Sequence, residues 1–427
     1  MKRIKYFFLG LAGVLLIGGC KRFLDTTPKD GTITDVSFFK KTSDFDTYIF
    51  GAYADMAGAF DGSGVANWIK VTMFVSQEGV GPDEQTKPLA QYMSASNDQI
   101  GNYWINFFRM VSKANKVLEK LPASSIPDAD KTRLEGEALF LRGFAYFNLA
   151  RAFGNIPLPL KPYDITQNYI GCTSEDSVWN QVIADLSSAV TKIPTREEWS
   201  ADNLGRATKG SAYAYLANAY MYKKDWANAE SASASLIALG EYSLLPAVRS
   251  VFSVKNPNND ESIFEVQYRN ISDGKVNWSG HEAGGLLAEW TAPRNIGSDW
   301  APGGGWGETV ANRKLADSYE PGDDRRSQLM RVPGEKYKGE SMTDTLIIPL
   351  DVAQSHSAFS TKYWLGPSPE AGTTYLFKQN IPIMRYAEFL LNYAEILFMD
   401  GKIPEGYQQL NLVRERALLP DLTPQSD

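Results

Sequence analysis

Five tryptophans fall in one stretch of this 427-residue chain: Trp278, Trp290, Trp300 and Trp306, then Trp364. The chain holds ten, an average of one per 43 residues or so, yet four of these lie within 29. Their neighbours are Gly, Asn, Ser, Asp and Arg, and neither a helical nor a strand period accounts for them. An indole presents a broad apolar face and one N–H donor. The C–H-rich face of a sugar ring packs against such a surface while nearby polar groups bond its hydroxyls, the usual division of labour in a ligand site. Asn277, Arg294, Asn295 and Asp299 are placed to be those polar partners. A sparser aromatic set, Phe60, Trp68 and Tyr92, lies in an earlier polar loop. The alternative for each tryptophan is packing that pins a long loop to the core. Trp104, Trp179 and Trp226 sit on helical stripes and are expected to pack.

Other chemistries lack their residues. There is no GxSxG, GxxxxGK[ST], HExxH or CxxC segment. His281 and His356 are the only histidines, which excludes His-rich metal sites, and no cofactor is expected. Gly303-Gly304-Gly305-Trp306-Gly307 has no lysine after it and fails the dinucleotide fingerprint at Glu308. Glu282, Glu289 and Glu308 lie among the tryptophans, but no spacing marks a glycosidase acid/base pair, so they are expected to be solvated or hydrogen-bonding. A net charge of −7 argues against nucleic acid as partner.

The first residues suggest a compartment. Lys2, Arg3 and Lys5 precede an apolar run, Tyr6–Ile17, and then Gly18-Gly19-Cys20, the layout of a secretory signal over 1–19. The run is too short to span a bilayer of about 30 Å. Leu16-Ile17-Gly18-Gly19-Cys20 also resembles the bacterial lipobox, which implies acylation of Cys20, a lipidated tether over 20–34 and contact with the membrane through that anchor alone. Removal of the signal would leave 408 residues with a net charge of −10. Cys172 would then have no disulfide partner and is expected to be inert packing.

The elements that must position these residues are helical. Stripes at three- and four-residue steps predict helices over Asp35–Ala59, Tyr103–Leu121 and Lys131–Phe153. Thr173-Ser174-Glu175-Asp176 reads as a capping box opening a helix through Val190. Ala207–Leu239 fits a tetratricopeptide pair, with Tyr213, Leu216, Ala217 and Tyr220 on one helix and Trp226 and Ala229 on the next. A similar pair spans Tyr386–Leu418, and the block at 131–157 shares its character. Spacings of 74 and 177 residues between Gly143, Ala217 and Ala394 mean dispersed repeats, not a tandem array. The expected fold is thus mostly α: one domain over 35–427, a tetratricopeptide-like scaffold of helical pairs with a loop-rich insertion over 246–379. Within that insertion Ser262–Tyr268 predicts a strand, and Gly- and Pro-rich stretches predict loops. So long an insertion is expected to be functional or to carry its own fold.

Ordered blocks along nearly the whole chain resemble the SusD/RagB family of Bacteroidota outer-membrane lipoproteins. Phe23-Leu24-Asp25-Thr26-Thr27-Pro28 resembles the family's "FLD…P" opening, and Gly51-Ala52-Tyr53 its first-helix "GAY". Trp104 followed by Ala114-Asn115-Lys116-Val117-Leu118 resembles "W…ANxVL". Residues Glu135–Pro157, EGEALFLRGFAYFNLARAFGNIP, resemble "EAxFLRAxxYFxL…YGxVP". Thr208–Leu245 matches a "TKGAAYALLA…W" pair ending in "YSLL", and Ile381–Pro420 resembles "PxIRLAExLLMYAEA" with "LNxVRxRAGLP". Family members usually continue into an "ERxxELxxEGxRxxDL" segment, which does not follow here before Asp427; in a longer chain a further helix would pack on the scaffold.

The resemblance implies a non-enzymatic, surface-exposed lipoprotein that caps a SusC-like TonB-dependent transporter and delivers glycans to it. Ligand contacts vary within the family, so the tryptophan assignment stands on the residues alone. Peptides or glycoprotein fragments as cargo, a glycoside hydrolase, and a scaffold without a small ligand are the alternatives.

Overall fold

The computed structural model describes residues 38–61, 72, 79–80, 97–163, 170–268, 287–294, 296, 305–307, 310–337, 346–348, 357–364 and 379–424. Among the described residues eight long helices build the scaffold. They are α1 (Thr42–Asp61), α2 (Asp98–Lys120), α3 (Asp128–Phe153), α4 (Glu175–Ala189), α5 (Lys209–Tyr222) and α6 (Trp226–Leu239), with two more after the insertion. Each packs on the next in chain order, and α6 packs on the first of the late helices, so the insertion leaves the stack and returns to it. The protein is mostly helical, with a few short strands, as the stripes predict.

Helix α3 is buried almost all round from Leu134 to Ala150. The 131–157 block is therefore not a pair by itself; it supplies one central helix whose partner is α4. Gly136 and Gly143 make that contact possible. A Cβ on Gly136 would stand 2.8 Å from Lys192 Cβ and 2.9 Å from Ile193 Cγ1, and one on Gly143 3.1 Å from Leu186 Cγ. Phe140, Phe144 and Phe147 then meet Tyr215 of α5 edge-on, with ring centroids 4.9 to 6.1 Å apart.

Buried charges clamp the same helix. Glu137 is fully buried and accepts from Arg206 Nε at 2.7 Å and from Arg133 Nη1 at 2.9 Å. Arg206 also reaches Asp46 of α1 at 2.6 Å. Burial opposes ionisation of Asp46, but its hydrogen bonds from Arg133 and Arg206 outweigh this and hold its carboxyl below the usual range. One helical turn further on, Arg142 makes a two-pronged bond to Asp185 of α4, at 2.8 and 2.7 Å, and a third to Asn115 of α2 at 2.9 Å. These residues explain why Glu and Arg stand inside an otherwise apolar block.

Two sequence expectations need correction. Ser174 caps α4 by accepting from Ser177 N–H, without a carboxylate returning the bond. The reciprocal box instead opens α5, between Thr208 and Ser211. Cys172 is exposed rather than packed.

The insertion folds around a sheet that also takes in a strand from the earlier loop. Strands β1 (Gly79–Val80), β3 (Val310–Asn312), β7 (Ser357–Ser360) and β4 (Met330–Arg331) make a four-stranded sheet in the order β1-β3-β7-β4, antiparallel throughout. Side chains alternate across it. Val310 and Phe359 join Tyr337, Ile348 and Trp364 on one face, and Ala311, Ala358 and Met330 join Ala316 on the other. Strands β5 (Lys336–Tyr337) and β6 (Leu346–Ile347) form a small ribbon. The short helices α7 (Leu287–Thr291), α8 (Arg313–Asp317) and α9 (Asp324–Leu329) complete it. The strand expected at 262–268 is β2 (Ser262–Val266), which pairs with β8 (Ile381–Arg385) directly before α10 (Tyr386–Met399) and α11 (Ile403–Arg416). Fully buried Glu261 fixes that return, accepting from Arg385 at 2.9 Å and Arg416 at 2.8 Å.

Candidate functional site

Trp290 and Trp306 come together in the insertion. Their rings meet edge to face, with centroids 5.1 Å apart and planes at 89°. Trp290, on α7, is buried, whereas Trp306 is half-buried and packs against the main core. The backbone holds this pair tightly. Trp306 N–H donates to Glu289 C=O at 2.8 Å, and Gly305 N–H donates to the Glu289 carboxylate at 3.1 Å. Arg294 Nε donates to Trp306 C=O at 2.7 Å. Gly305 has φ +73°, and a Cβ there would fall 2.1 Å from Pro293 O. The turn that carries Trp306 therefore needs glycine before it.

Only some of the predicted residues lie in the described part of the chain. Arg294 does not stand apart as a ligand donor; its Nε positions the Trp306 backbone. Glu289 is fully buried and tied to Gly305, as expected of a hydrogen-bonding rather than a catalytic carboxylate. Trp364 needs correction as a ligand contact, since only 3% of its surface is exposed. Its ring packs edge-on to Tyr337 at 5.0 Å and near Phe359, and its carbonyl accepts from Arg249 Nη2 at 2.6 Å. It fills the insertion's own core and offers no open face. Phe60 is likewise buried, against Phe107 and Phe144. Trp278, Trp300, Asn277, Asn295, Asp299, Trp68, Tyr92 and the Cys20 anchor lie outside the described residues.

Of the tryptophans expected to pack, Trp179 is buried, stacked on Tyr222 at 4.7 Å and bonded through Nε1 to Glu175 at 3.0 Å. Trp104 is only partly covered. With Phe108, Val111, Pro159, Lys161 and Tyr163 it lines an apolar cleft of about 360 Å³ between α2 and the segment after α3. Periodicity assigned Trp104 to the core and gave no sign of this opening. No group of His, Cys, Asp and Glu suited to a metal ion occurs among the described residues.

Comparison with known proteins defines the class. Residues 22–221 match a family described as "Starch-binding associating with outer membrane", and residues 260–427 match the "SusD family". SusD-like protein P2 of Formosa agariphila is 26% identical over 98% of this chain and 82% of its own. Surface glycan-binding protein A from Bacteroides fluxus is 26% identical with a TM-score of 0.74, over 89% of this chain and 82% of that one. The corresponding protein of Bacteroides thetaiotaomicron, solved with laminarihexaose, is 20% identical with a TM-score of 0.72, over 90% and 85% of the two chains, and shares the fold. The chain belongs to the SusD/RagB family.

Proposed function

We propose that the protein is a non-catalytic glycan-binding lipoprotein of the outer membrane, anchored through Cys20, that captures oligosaccharide for a SusC-like TonB-dependent transporter. The observation that carries the binding role is the half-buried Trp306 ring, set edge-on against Trp290 on a turn fixed by Glu289, Gly305 and Arg294. A ring held in this way loses little freedom when a sugar stacks on it, which favours reversible capture by a preformed surface. The family description and the glycan-binding name of the Bacteroides fluxus relative support the same reading. Trp278 and Trp300, with Asn277, Asn295 and Asp299, are the further contacts, and Trp68 and Tyr92 the second set.

Among the described residues no helix is long and apolar enough to cross a membrane. Calorimetric titration with a polysaccharide panel that includes laminarin tests the binding role. Saturable heat with at least one glycan and no release of reducing sugar is expected. Binding confined to peptides, or sugar release abolished by a single carboxylate substitution, would overturn it.

A further inference from the structure

A second cavity, away from the tryptophan pair, lies where α3, α5, β8 and α10 meet the Tyr363 segment. Its volume is about 170 Å³. An engineered cavity of about 150 Å³ holds benzene, so there is room for one six-membered ring. Its lining is unusual for a site at the heart of a helical scaffold, because it includes Arg151, Lys362, Arg385 and Glu388. Arg385 is engaged by Glu261 at 2.9 Å. Arg151 bonds Asn148 at 3.2 Å and keeps accessible surface, as does Glu388.

Lys362 and Glu388 differ from these. Their charged ends make no hydrogen bond or ion pair among the described residues, although both line the same cavity. The Lys362 ammonium sits over the Phe252 ring, 5.3 Å from its centroid. Burial pushes it down to about 8, Arg385 pushes the same way, and Glu388 opposes. Burial raises Glu388, while Arg385, Arg151 and Lys362 pull it back. A partly buried ammonium on which no carboxylate closes is a costly arrangement unless something bridges the space to Glu388, whose side chain keeps contact with solvent.

We propose that this cavity binds a small monoanionic polyol of hexuronate type, its carboxylate against Lys362 and Arg151 and its hydroxyls donating to Glu388. Arg385 shares Glu261 with Arg416, so Arg151, Lys362 and part of the Arg385 charge outweigh Glu388, which suits an anion. A dicarboxylate would bring its second charge against Glu388. A neutral sugar would leave Lys362 unmatched. The Asn218 amide, whose oxygen already accepts from Asn392 at 3.1 Å, turns its nitrogen to the remaining hydroxyls.

Calorimetry with D-glucuronate and D-galacturonate, against D-glucose, succinate and glycine, tests the site. Saturable binding of a hexuronate is expected, with none of the three controls binding comparably. Lys362→Met and Glu388→Gln should each weaken it about tenfold or more, a loss of about 1.4 kcal/mol. Trp306→Ala should leave it unchanged, which separates this site from the glycan surface. Hexuronate-induced thermal stabilisation of the parent protein, absent in Glu388→Gln, gives a second reading should Lys362→Met fold poorly. No hexuronate binding, tighter binding of glycine or succinate, or equal binding by both variants would overturn the proposal.

Discussion

The helical scaffold and the insertion solve the problem of holding a shape in different ways. The scaffold is one continuous core from Phe39 to Val413, in which α3 is surrounded and its few charges are matched: Glu137 by Arg206 and Arg133, Arg142 by Asp185. The insertion reaches that core at Leu287, Trp290, Leu329 and Tyr363, and the rest of it is held by two small clusters on either side of a sheet with strands of two to four residues. It depends on single anchors. Arg249 ties Thr361, Tyr337 and Trp364 together, and Glu289 ties Gly305 and Trp306. A stack of helices keeps its shape when surface residues change, whereas loops on local anchors can be re-shaped without unfolding the rest. That contrast suits a family with one architecture and variable ligand surfaces.

Substitutions at the two kinds of anchor should therefore separate global from local loss. Arg206→Met should have the largest effect, since it leaves Arg133 as the cation shared by buried Glu137 and Asp46, with the Tyr53 hydroxyl still on Glu137; a cost of about 3–5 kcal/mol in denaturant unfolding is expected. An unaltered midpoint would show that the clamp is not needed. Trp364→Ala should cost about 3 kcal/mol, read as early proteolysis inside the insertion while the helical signal persists. Simultaneous loss of both would mean that the two regions fold as one. Gly305→Ala combines a left-handed backbone with a clash at Pro293 O and should cost about 1–3 kcal/mol locally. Glycan affinity should fall with little change in melting temperature.

The pH dependence follows from Asp46. Its carboxyl is lowered in the folded protein, so its contribution is fully present above the unfolded value of about 3.8 and is lost as pH falls through the lower folded one. The Asp46 contribution should thus be flat from neutrality to about pH 5 and fall below about pH 4. In Asp46→Asn that acid limb should be shallower. The smallest effect is expected at Lys402, whose bonds to Glu230 and Asp400 lie at the surface. Lys402→Ala should melt with the parent, and a clear drop would mean that surface pairs contribute to the scaffold.

Much of the scaffold was legible in the sequence because its helices carry apolar stripes over several turns. The late pair expected over 386–418 is observed as α10 and α11, Tyr386–Met399 and Ile403–Arg416. The strand at 262 was legible for the same reason, as a short apolar run. The sheet of the insertion was not, because two- to four-residue strands are too short to show alternation. Its tryptophans were visible by composition, but composition does not tell a ring that fills a core from one that faces solvent. Trp364 stands between Tyr363 and Leu365 and Trp306 between two glycines, and the fold buries the first while leaving the second half-open. The Glu137 clamp and the Lys362–Glu388 cavity left no local sign either, since their partners come from distant segments.

On the reading proposed above, Trp306 of the insertion carries much of the glycan affinity. Titrating Trp306→Ala with whichever panel glycan binds the parent, alongside its unfolding curve, tests this most directly. A fall in affinity of about thirtyfold, equivalent to the loss of a binding hot spot of about 2 kcal/mol, with the protein still folded and only a small fall in the unfolding midpoint, is the predicted result. Unchanged affinity, or a loss matched by global unfolding, would contradict it.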